Sequence, residues 1–271
     1  MLPTAIGLSD NRSGVYAAIQ DWCMEHGLGV YEPQRRHGEG DISQEWDAAT
    51  ETMRWKPATL AMMQALDYPL LWHVGSYHYA TKPQILRNIM PQLDDIANWL
   101  QAFGINGWFL IDEPPHAAVY GWTPALQELV QDFVGTAQNA GIDVGVAMPG
   151  PTQLKFWKER INPTFWILND KHSASVWRPI LGTDTCWLYN AANFAGLGFR
   201  IQLIGAKGYL HWSGVETTKQ NPLPIMFDAE GAPTPAVYQL INELTTAVQP
   251  QPETWQEGYA MLDARLKAGG L

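Results

Sequence analysis

The sequence predicts an α/β protein: a single (β/α)8 barrel with an additional C-terminal helix, formed by one domain over residues 1–271. Two observations predict this fold. Eight short apolar runs are each followed by an amphipathic segment, which is the pattern of parallel strand–helix units. The 271 residues also fit the roughly 250 residues that eight such units need. The chain is therefore expected to use nearly its whole length in one barrel.

The eight strands are expected at 4–8, 29–31, 69–74, 107–111, 143–148, 165–168, 186–189 and 208–212. Helical patterns lie between and after them, at 15–26, 45–66, 83–103, 124–140, 152–160, 173–180, 194–205, 235–248 and 253–268. Thr123 before Pro124 is typical of a helix start, and Gly104 and Gly141 are typical of helix ends that lead into a strand. A doubly wound open sheet is the main rival. No Gly-x-Gly-x-x-Gly or phosphate loop follows an early strand to favour it.

Composition narrows the class of partner. The net charge is -10, from 27 acidic and 17 basic residues, and no Lys/Arg run exists, so nucleic acid is not expected as a partner. Thirteen Trp residues suit a protein that packs aromatic rings against sugars. Cys23 and Cys186 stand alone and are expected to be buried thiols. The first residues do not resemble a signal peptide, and no apolar run is long enough for a membrane span. The chain is thus expected to be soluble, and cytoplasmic by default.

Catalytic side chains of a barrel follow the C-terminal ends of its strands. The predicted strand ends carry polar and aromatic side chains that suit contacts with a glycan or glycoside substrate. The candidates for substrate binding are Asp10, Glu32, His73, Tyr77, Asp170, Tyr189, Asn190 and Trp212.

Asp112 and Glu113 stand out among the strand ends. The apolar run 107–111 leads directly into these two carboxylates, and Pro114 and Pro115 follow them. Two buried acids are costly unless their charge has a use. Their proximity is expected to separate their pKa values, leaving one ionised and one protonated near neutral pH. Glycosidases need such a pair, whereas a polar loop with a helix-capping Asp is the ordinary alternative.

The geometry of adjacent residues adds a requirement. Neighbouring side chains of a strand point to opposite faces. A twist or bulge at Asp112 is therefore expected if both carboxylates serve one site.

The end of the seventh predicted strand carries no acid. Many retaining barrel glycosidases have an acid/base Glu after strand four and a nucleophilic Glu after strand seven. Here the seventh strand ends in Tyr189-Asn190. This favours a substrate-assisted reaction, in which the 2-acetamido oxygen of the sugar attacks the anomeric carbon. Glu113 is then the acid that protonates the leaving oxygen, and Asp112 orients the acetamide.

These residues carry a resemblance to a known family. The strand ending Ile-Asp-Glu-Pro114, together with Phe199-Arg200 and the run 205–212 (Gly-Ala-Lys-Gly-Tyr-Leu-His-Trp), resembles the catalytic barrel of glycoside hydrolase family 123 and its uncharacterised relatives. The resemblance implies β-N-acetylgalactosaminidase-like activity with a retaining, substrate-assisted mechanism. It implies that Asp112 orients the acetamide, that Glu113 is the acid/base and that Trp212 faces the sugar. Tyr189 is the candidate to hydrogen-bond the acetamide, and Arg200 is expected to be structural.

Two alternatives remain open. A conventional glycosidase would use Asp170 or Glu216 as its second carboxylate. A non-catalytic glycan-binding barrel is the other, because the family's usual N-terminal β-sandwich has no counterpart before the first predicted strand. No cofactor and no metal are expected, since His73 and His78 lack the spacing of a zinc site. His116 is expected either in the cleft or in a solvated loop, and the sequence does not predict an oligomeric state.

Overall fold

The computed structural model describes residues 1–7, 13–31, 44–47, 52–55, 64, 70–74, 84–117, 122–211 and 223–247. Its strands, in chain order, are β1 (Thr4–Gly7), β2 (Gly29–Tyr31), β3 (Gln44–Asp47), β4 (Thr52–Trp55), β5 (Leu70–Val74), β6 (Trp108–Asp112), β7 (Asp143–Met148), β8 (Phe165–Asn169), β9 (Cys186–Tyr189) and β10 (Tyr209–His211). Its helices are α1 (Ser13–Glu25), α2 (Gln84–Ile89), α3 (Leu93–Phe103), α4 (Pro124–Asn139), α5 (Pro151–Lys158), α6 (Ala174–Leu181), α7 (Leu197–Ile204) and α8 (Pro235–Ala247).

Eight of these strands form one parallel sheet in the order β2-β1-β10-β9-β8-β7-β6-β5. Strands that follow one another in the sequence are neighbours from β5 to β10, and β10 pairs with β1. The sheet therefore has no point at which the strand order reverses, which a doubly wound sheet requires. The edge strands β2 and β5 approach each other to within 8 Å between Cα atoms. Among the described residues, no ladder joins these two strands.

The two faces of the sheet have different partners. The outer face packs against the helices in one large apolar cluster that includes Phe109, Val146 and Leu188 with Phe133 and Trp157. Within the described residues, the inner face packs against itself, and every member of its cluster belongs to a strand: Ala5, Leu70, Trp108, Leu110, Ala147, Phe165, Ile167, Trp187, Tyr189 and Leu210. Helices on one face of a parallel sheet and a self-packed opposite face are the arrangement of a barrel, not of a doubly wound sheet.

Three aromatic rings fill the inside of the curved sheet. Trp108 makes edge contacts with Phe165 and Trp187 at centroid distances of 5.0 and 4.9 Å, and those two rings stack at 4.9 Å. Two glycines make room for them. A Cβ on Gly145 would lie 2.5 Å from Phe165, and one on Gly208 would lie 2.3 Å from Trp187. The rings thus close the interior beneath the strand ends.

Most predicted elements are confirmed. All eight strands, as described, lie within one residue of the predicted bounds at each end. The N-cap at Thr123 is present, with its hydroxyl accepting the Leu126 N–H at 3.1 Å. Gly104 ends α3 in the left-handed conformation, at φ 66°.

One helix prediction is wrong, and a second is confirmed in extent but divided by a turn. The segment 45–66 contains the antiparallel hairpin β3–β4, because aromatic and β-branched residues such as Trp46 and Thr52 favour extended pairing. The predicted helix 83–103 is divided into α2 and α3 by a 3-10 turn at Met90–Gln92, where Pro91 cannot donate a main-chain hydrogen bond. The helix expected at 253–268 lies outside the described residues.

Candidate active site

The carboxylate pair lies at the C-terminal end of β6, the fourth strand of the parallel sheet. Alternation along the strand puts Asp112 on the inner face with Trp108 and Leu110, and Asp112 is 3% exposed. Glu113 follows with φ 45°, a left-handed conformation that is uncommon for a residue with a side chain. Its N–H still bonds the Ala147 oxygen of β7 at 3.1 Å. The change of direction that the sequence required at Asp112 therefore takes place one residue later.

Glu113 reaches across the inside of the sheet to β9. The Tyr189 hydroxyl donates to Glu113 Oε1 at 2.7 Å. Two strands, β7 and β8, separate β6 from β9 in the sheet. The bond therefore joins the fourth and seventh strands of the parallel sheet. This hydrogen bond therefore connects Glu113 to β9, the strand whose end carries no acidic residue.

Burial governs the electrostatics of this pair. It raises the pKa of Glu113 to about 7, with a further rise from the Asp112 carboxyl, while Tyr189 and the Lys171 charge act in the opposite direction. Burial also raises the pKa of Asp112 well above its usual range. Burial thus favours the protonated form of both carboxyls, and Glu113 titrates near neutrality.

Asn169, the last residue of β8, was absent from the sequence-based candidates but belongs to the site. Burial, as the largest cause, together with Glu113 and Asp112, raises the pKa of Tyr189 well above its usual range, and the neighbouring Asn169 side chain acts in the opposite direction. The Lys171 N–H donates to Asn169 Oδ1 at 3.0 Å. The available signal was a polar residue at a strand end that pairs in register with Tyr189.

Tryptophans of the surrounding helices hold the ends of the two site strands. Trp157 of α5 donates through Nε1 to the Pro114 oxygen at 3.0 Å. Trp177 of α6 donates through Nε1 to the Asn169 oxygen at 3.2 Å. Each of the segments that follow β6 and β8 is thus fixed to the layer of helices outside the sheet.

Asp170 is engaged by Arg200 of α7. Arg200 Nε donates to both carboxylate oxygens at 3.0 Å, and Nη2 lies 2.9 Å from Oδ2. The same guanidinium donates to the oxygens of Asn193 and Ala195. Burial raises the pKa of Asp170, and Arg200 opposes the rise. Asp170 does not cap α6, which has no side-chain cap, and Arg200 links Asp170 to the main chain at Asn193 and Ala195.

The main chain at Asn190 and Ala191 is fixed by hydrogen bonds whose donors and acceptors can be assigned. Asn190 has φ 57°, and its N–H donates to the Leu210 oxygen at 3.1 Å. The next N–H, of Ala191, donates to the Tyr209 hydroxyl at 3.0 Å. That hydroxyl lies 3.2 Å from His211 Nδ1, and His211 Nε2 lies 3.0 Å from the Pro224 oxygen. Since Nε2 must donate to a carbonyl, Nδ1 accepts from Tyr209.

The remaining candidates are placed as follows. His73 lies in β5, in register with Leu110. His116 is half-buried beside Phe156, at a centroid distance of 5.8 Å, and burial lowers its pKa. Asp10, Glu32, Tyr77, His78, Trp212 and Glu216 lie outside the described residues.

The described part of the chain contains no disulfide and no metal site. Cys23 and Cys186 are buried free thiols, as expected, and burial raises the pKa of Cys186 to about 11. Over the described ranges, no group of three or more His, Cys, Asp or Glu side chains could hold a metal ion. None of the helices described is long and apolar enough to cross a bilayer.

Known structures share this fold. One, described as a sugar phosphate isomerase/epimerase from Parabacteroides distasonis, is 11% identical, with a TM-score of 0.52 over 92% of this chain and 96% of that chain. A second, described as GH5_18 from Bifidobacterium longum subsp. longum, is 9% identical, with a TM-score of 0.52 over 93% and 81%. A third, GH5_18 from Streptomyces cattleya in complex with GlcNAc, is 12% identical, with a TM-score of 0.50 over 93% and 82%.

No protein-family model matches the sequence, and no curated protein is similar to it. Membership of glycoside hydrolase family 123 is thus a prediction from the motifs at 107–115 and 199–212. At identities this low, the structural neighbours show a shared fold, and function must be argued from the site.

Proposed function

We propose that this chain is a glycoside hydrolase built on a closed (β/α)8 barrel, with Glu113 as its acid/base. The observation that carries the proposal is a carboxyl at the end of the fourth strand of the parallel sheet, with a pKa raised to about 7 and a hydroxyl bound to one oxygen. A general acid is most effective when its pKa lies near the working pH. Glu113 is then present in both forms, as an acid/base must be.

The reaction that fits the pair is substrate-assisted hydrolysis of a β-linked N-acetylhexosamine, of the N-acetylgalactosamine type. Glu113 protonates the leaving oxygen as the anomeric bond breaks, and the acetamide oxygen bonds to the anomeric carbon. Water then attacks that carbon, Glu113 takes its proton, and the configuration is retained. Asp112 accepts the acetamide N–H, and the positive charge that develops there favours its ionised form.

In the part of the chain that the structure describes, no acid other than Asp112 is placed to compete with Glu113, which supports this route. Among the described residues, Asp112 and Asp170 are the other acids at strand ends near Glu113. Asp170 is committed to Arg200 by three contacts of 2.9–3.0 Å. A structural neighbour that was solved with GlcNAc further supports an N-acetylhexosamine as the ligand. Trp212, Asn190, Tyr77, His73, Asp10 and Glu32 remain predicted contacts to the sugar.

The test is release of nitrophenol from β-N-acetylgalactosaminide, β-N-acetylglucosaminide and β-galactoside. Glu113→Gln is compared with wild type and with Glu128→Gln, the same change on the exposed face of α4. Turnover of N-acetyl sugars alone, lost in Glu113→Gln and kept in Glu128→Gln, is expected. Turnover of the plain galactoside would indicate a second carboxylate, such as Glu216. Glycan binding without any turnover would identify a binding barrel.

A further inference from the structure

Among the described residues other than glycine, two have a left-handed main chain, and each directly follows a strand of the parallel sheet. Glu113 follows β6 with φ 45°, and Asn190 follows β9 with φ 57°. Both are still hydrogen-bonded to the next strand of the sheet. The Glu113 N–H donates to the Ala147 oxygen of β7, and the Asn190 N–H donates to the Leu210 oxygen of β10, each at 3.1 Å. The two positions are therefore equivalent in the sheet.

Glu113 shows what this conformation does to a side chain. Asp112, the residue before it, faces the inside of the sheet, so regular alternation would point Glu113 outward to the helices. The Glu113 carboxyl instead accepts from the hydroxyl of Tyr189, a member of the inner cluster, at 2.7 Å. The left-handed main chain has therefore returned the side chain to the inner face.

Asn190 stands in the same relation to its own strand. Tyr189, the residue before it, belongs to the inner cluster, so regular alternation would point Asn190 outward as well. The left-handed φ interrupts that alternation at the same position as in Glu113. Asn190 is only 9% exposed, and its side chain ends in an amide, which can donate and accept hydrogen bonds.

The hydroxyl of Tyr209 holds Asn190 in this conformation. Rotation about ψ of Asn190 turns the peptide group that carries the Ala191 N–H, and this N–H donates to the Tyr209 hydroxyl at 3.0 Å. The hydroxyl is itself held, because it lies 3.2 Å from His211 Nδ1, and His211 Nε2 lies 3.0 Å from the Pro224 oxygen. Tyr209 thus accepts from Ala191 and donates to His211.

We propose that Asn190 faces the cleft as the neutral counterpart of Glu113 and hydrogen-bonds an uncharged oxygen of the sugar, with Tyr209 as its positioning residue. The inference rests on the proposed function for the identity of this ligand. Strained left-handed residues persist where the surrounding structure over-determines them, and they cluster at ligand sites. The amide follows the seventh strand of the sheet, where it binds the sugar without forming a covalent bond to it.

The test is the affinity for N-acetylgalactosamine, measured by isothermal titration in wild type, Asn190→Gly, Tyr209→Phe and the double variant. Glycine adopts the left-handed conformation readily, so Asn190→Gly removes the side chain alone. Asn190→Gly is expected to bind about tenfold more weakly, because one hydrogen bond to the sugar is lost. Tyr209→Phe is expected to bind about threefold more weakly, and to cause no further loss in the Asn190→Gly background.

Two controls separate this role from a merely structural one. Tyr238→Phe removes a hydroxyl from an exposed tyrosine of α8 and is expected to leave the affinity unchanged. Asn190→Ala also lacks the amide but must hold a Cβ in the left-handed conformation. It is expected to match Asn190→Gly in affinity and to unfold at a lower urea concentration. This pair tests the conformation even if Tyr209→Phe does not fold.

Unchanged affinity in Asn190→Gly would overturn the inference. Equal losses from Tyr209→Phe with and without the Asn190 side chain would overturn the positioning role. A chain that binds the sugar with the expected pattern but hydrolyses no glycoside would support the inference and refute only the hydrolase function. Turnover of N-acetylhexosaminides with the same KM in wild type and Asn190→Gly would refute only the inference.

Discussion

Replacing Glu113 with glutamine measures how much the ionised Glu113 carboxylate lowers the free energy of unfolding. Burial favours its protonated form, so the stability it contributes is fully present below its ordinary pKa of 4.5 and is lost as the pH rises through about 7. That separation corresponds to about 3 kcal/mol, at about 1.4 kcal/mol for each pH unit. Glutamine cannot ionise, and its oxygen can still accept from Tyr189. The variant is expected to match wild type at pH 4 and to be about 3 kcal/mol more stable above pH 8.

The assay is urea unfolding followed by tryptophan fluorescence, at closely spaced pH values from 4 to 9. Glu128→Gln, on the exposed face of α4, is expected to follow the wild-type curve throughout. The reasoning is refuted if the wild-type and Glu113→Gln curves stay parallel across this range. Such a result would mean that the carboxyl is as well solvated in the folded protein as in the unfolded chain.

Four further predictions concern the surroundings of the site and, as a comparison, the exposed face of α4. Gly208→Ala is expected to lower the unfolding free energy by about 1–3 kcal/mol, because a Cβ would lie 2.3 Å from Trp187. Gly135→Ala, in α4 with open space around it, is expected to raise the same quantity by about 0.5–1 kcal/mol; urea titration measures both. Tyr209→Phe leaves the buried Ala191 N–H unbonded and is expected to lower stability by about 1–3 kcal/mol, with faster amide exchange at Ala191. Arg200→Met leaves the buried Asp170 without its cation, so its stability is expected to fall further below that of wild type as the pH rises from 4 to 8 in the same urea assay.

Periodicity and glycine placement were sufficient to predict the parallel strands. Each apolar run was short, and each helix after β6 ended or began at a residue with a recognisable cap or a proline. The hairpin β3–β4 was missed because its residues also fit a helical spacing. The packing of the Trp108, Phe165 and Trp187 rings inside the curved sheet could not be predicted. Alternation identifies a face of the sheet but not which rings meet across it.

The site was predicted unevenly for a similar reason. Asp112 and Glu113 can be recognised in the sequence as adjacent acids after an apolar strand. The Tyr189–Glu113 bond joins residues 76 positions apart, and no spacing rule connects them. Asn169 was passed over because its place beside Tyr189 depends on the register of β8 and β9, which the identity of the residues does not reveal. Asp170, by contrast, has the chemistry of a ligand but is bound by Arg200.

The hydrogen bonds from the Trp157 and Trp177 indoles separate two tasks: the positioning of the candidate site and the choice of ligand by the loops. The segments that follow β6 and β8 are both anchored by the helix layer outside the sheet. Loops above the cleft can therefore be exchanged, lengthened or redesigned without moving the proton donor. Under the proposed function, a protein engineer could alter which glycan enters by grafting new loops, and would have reason to leave these two tryptophans untouched.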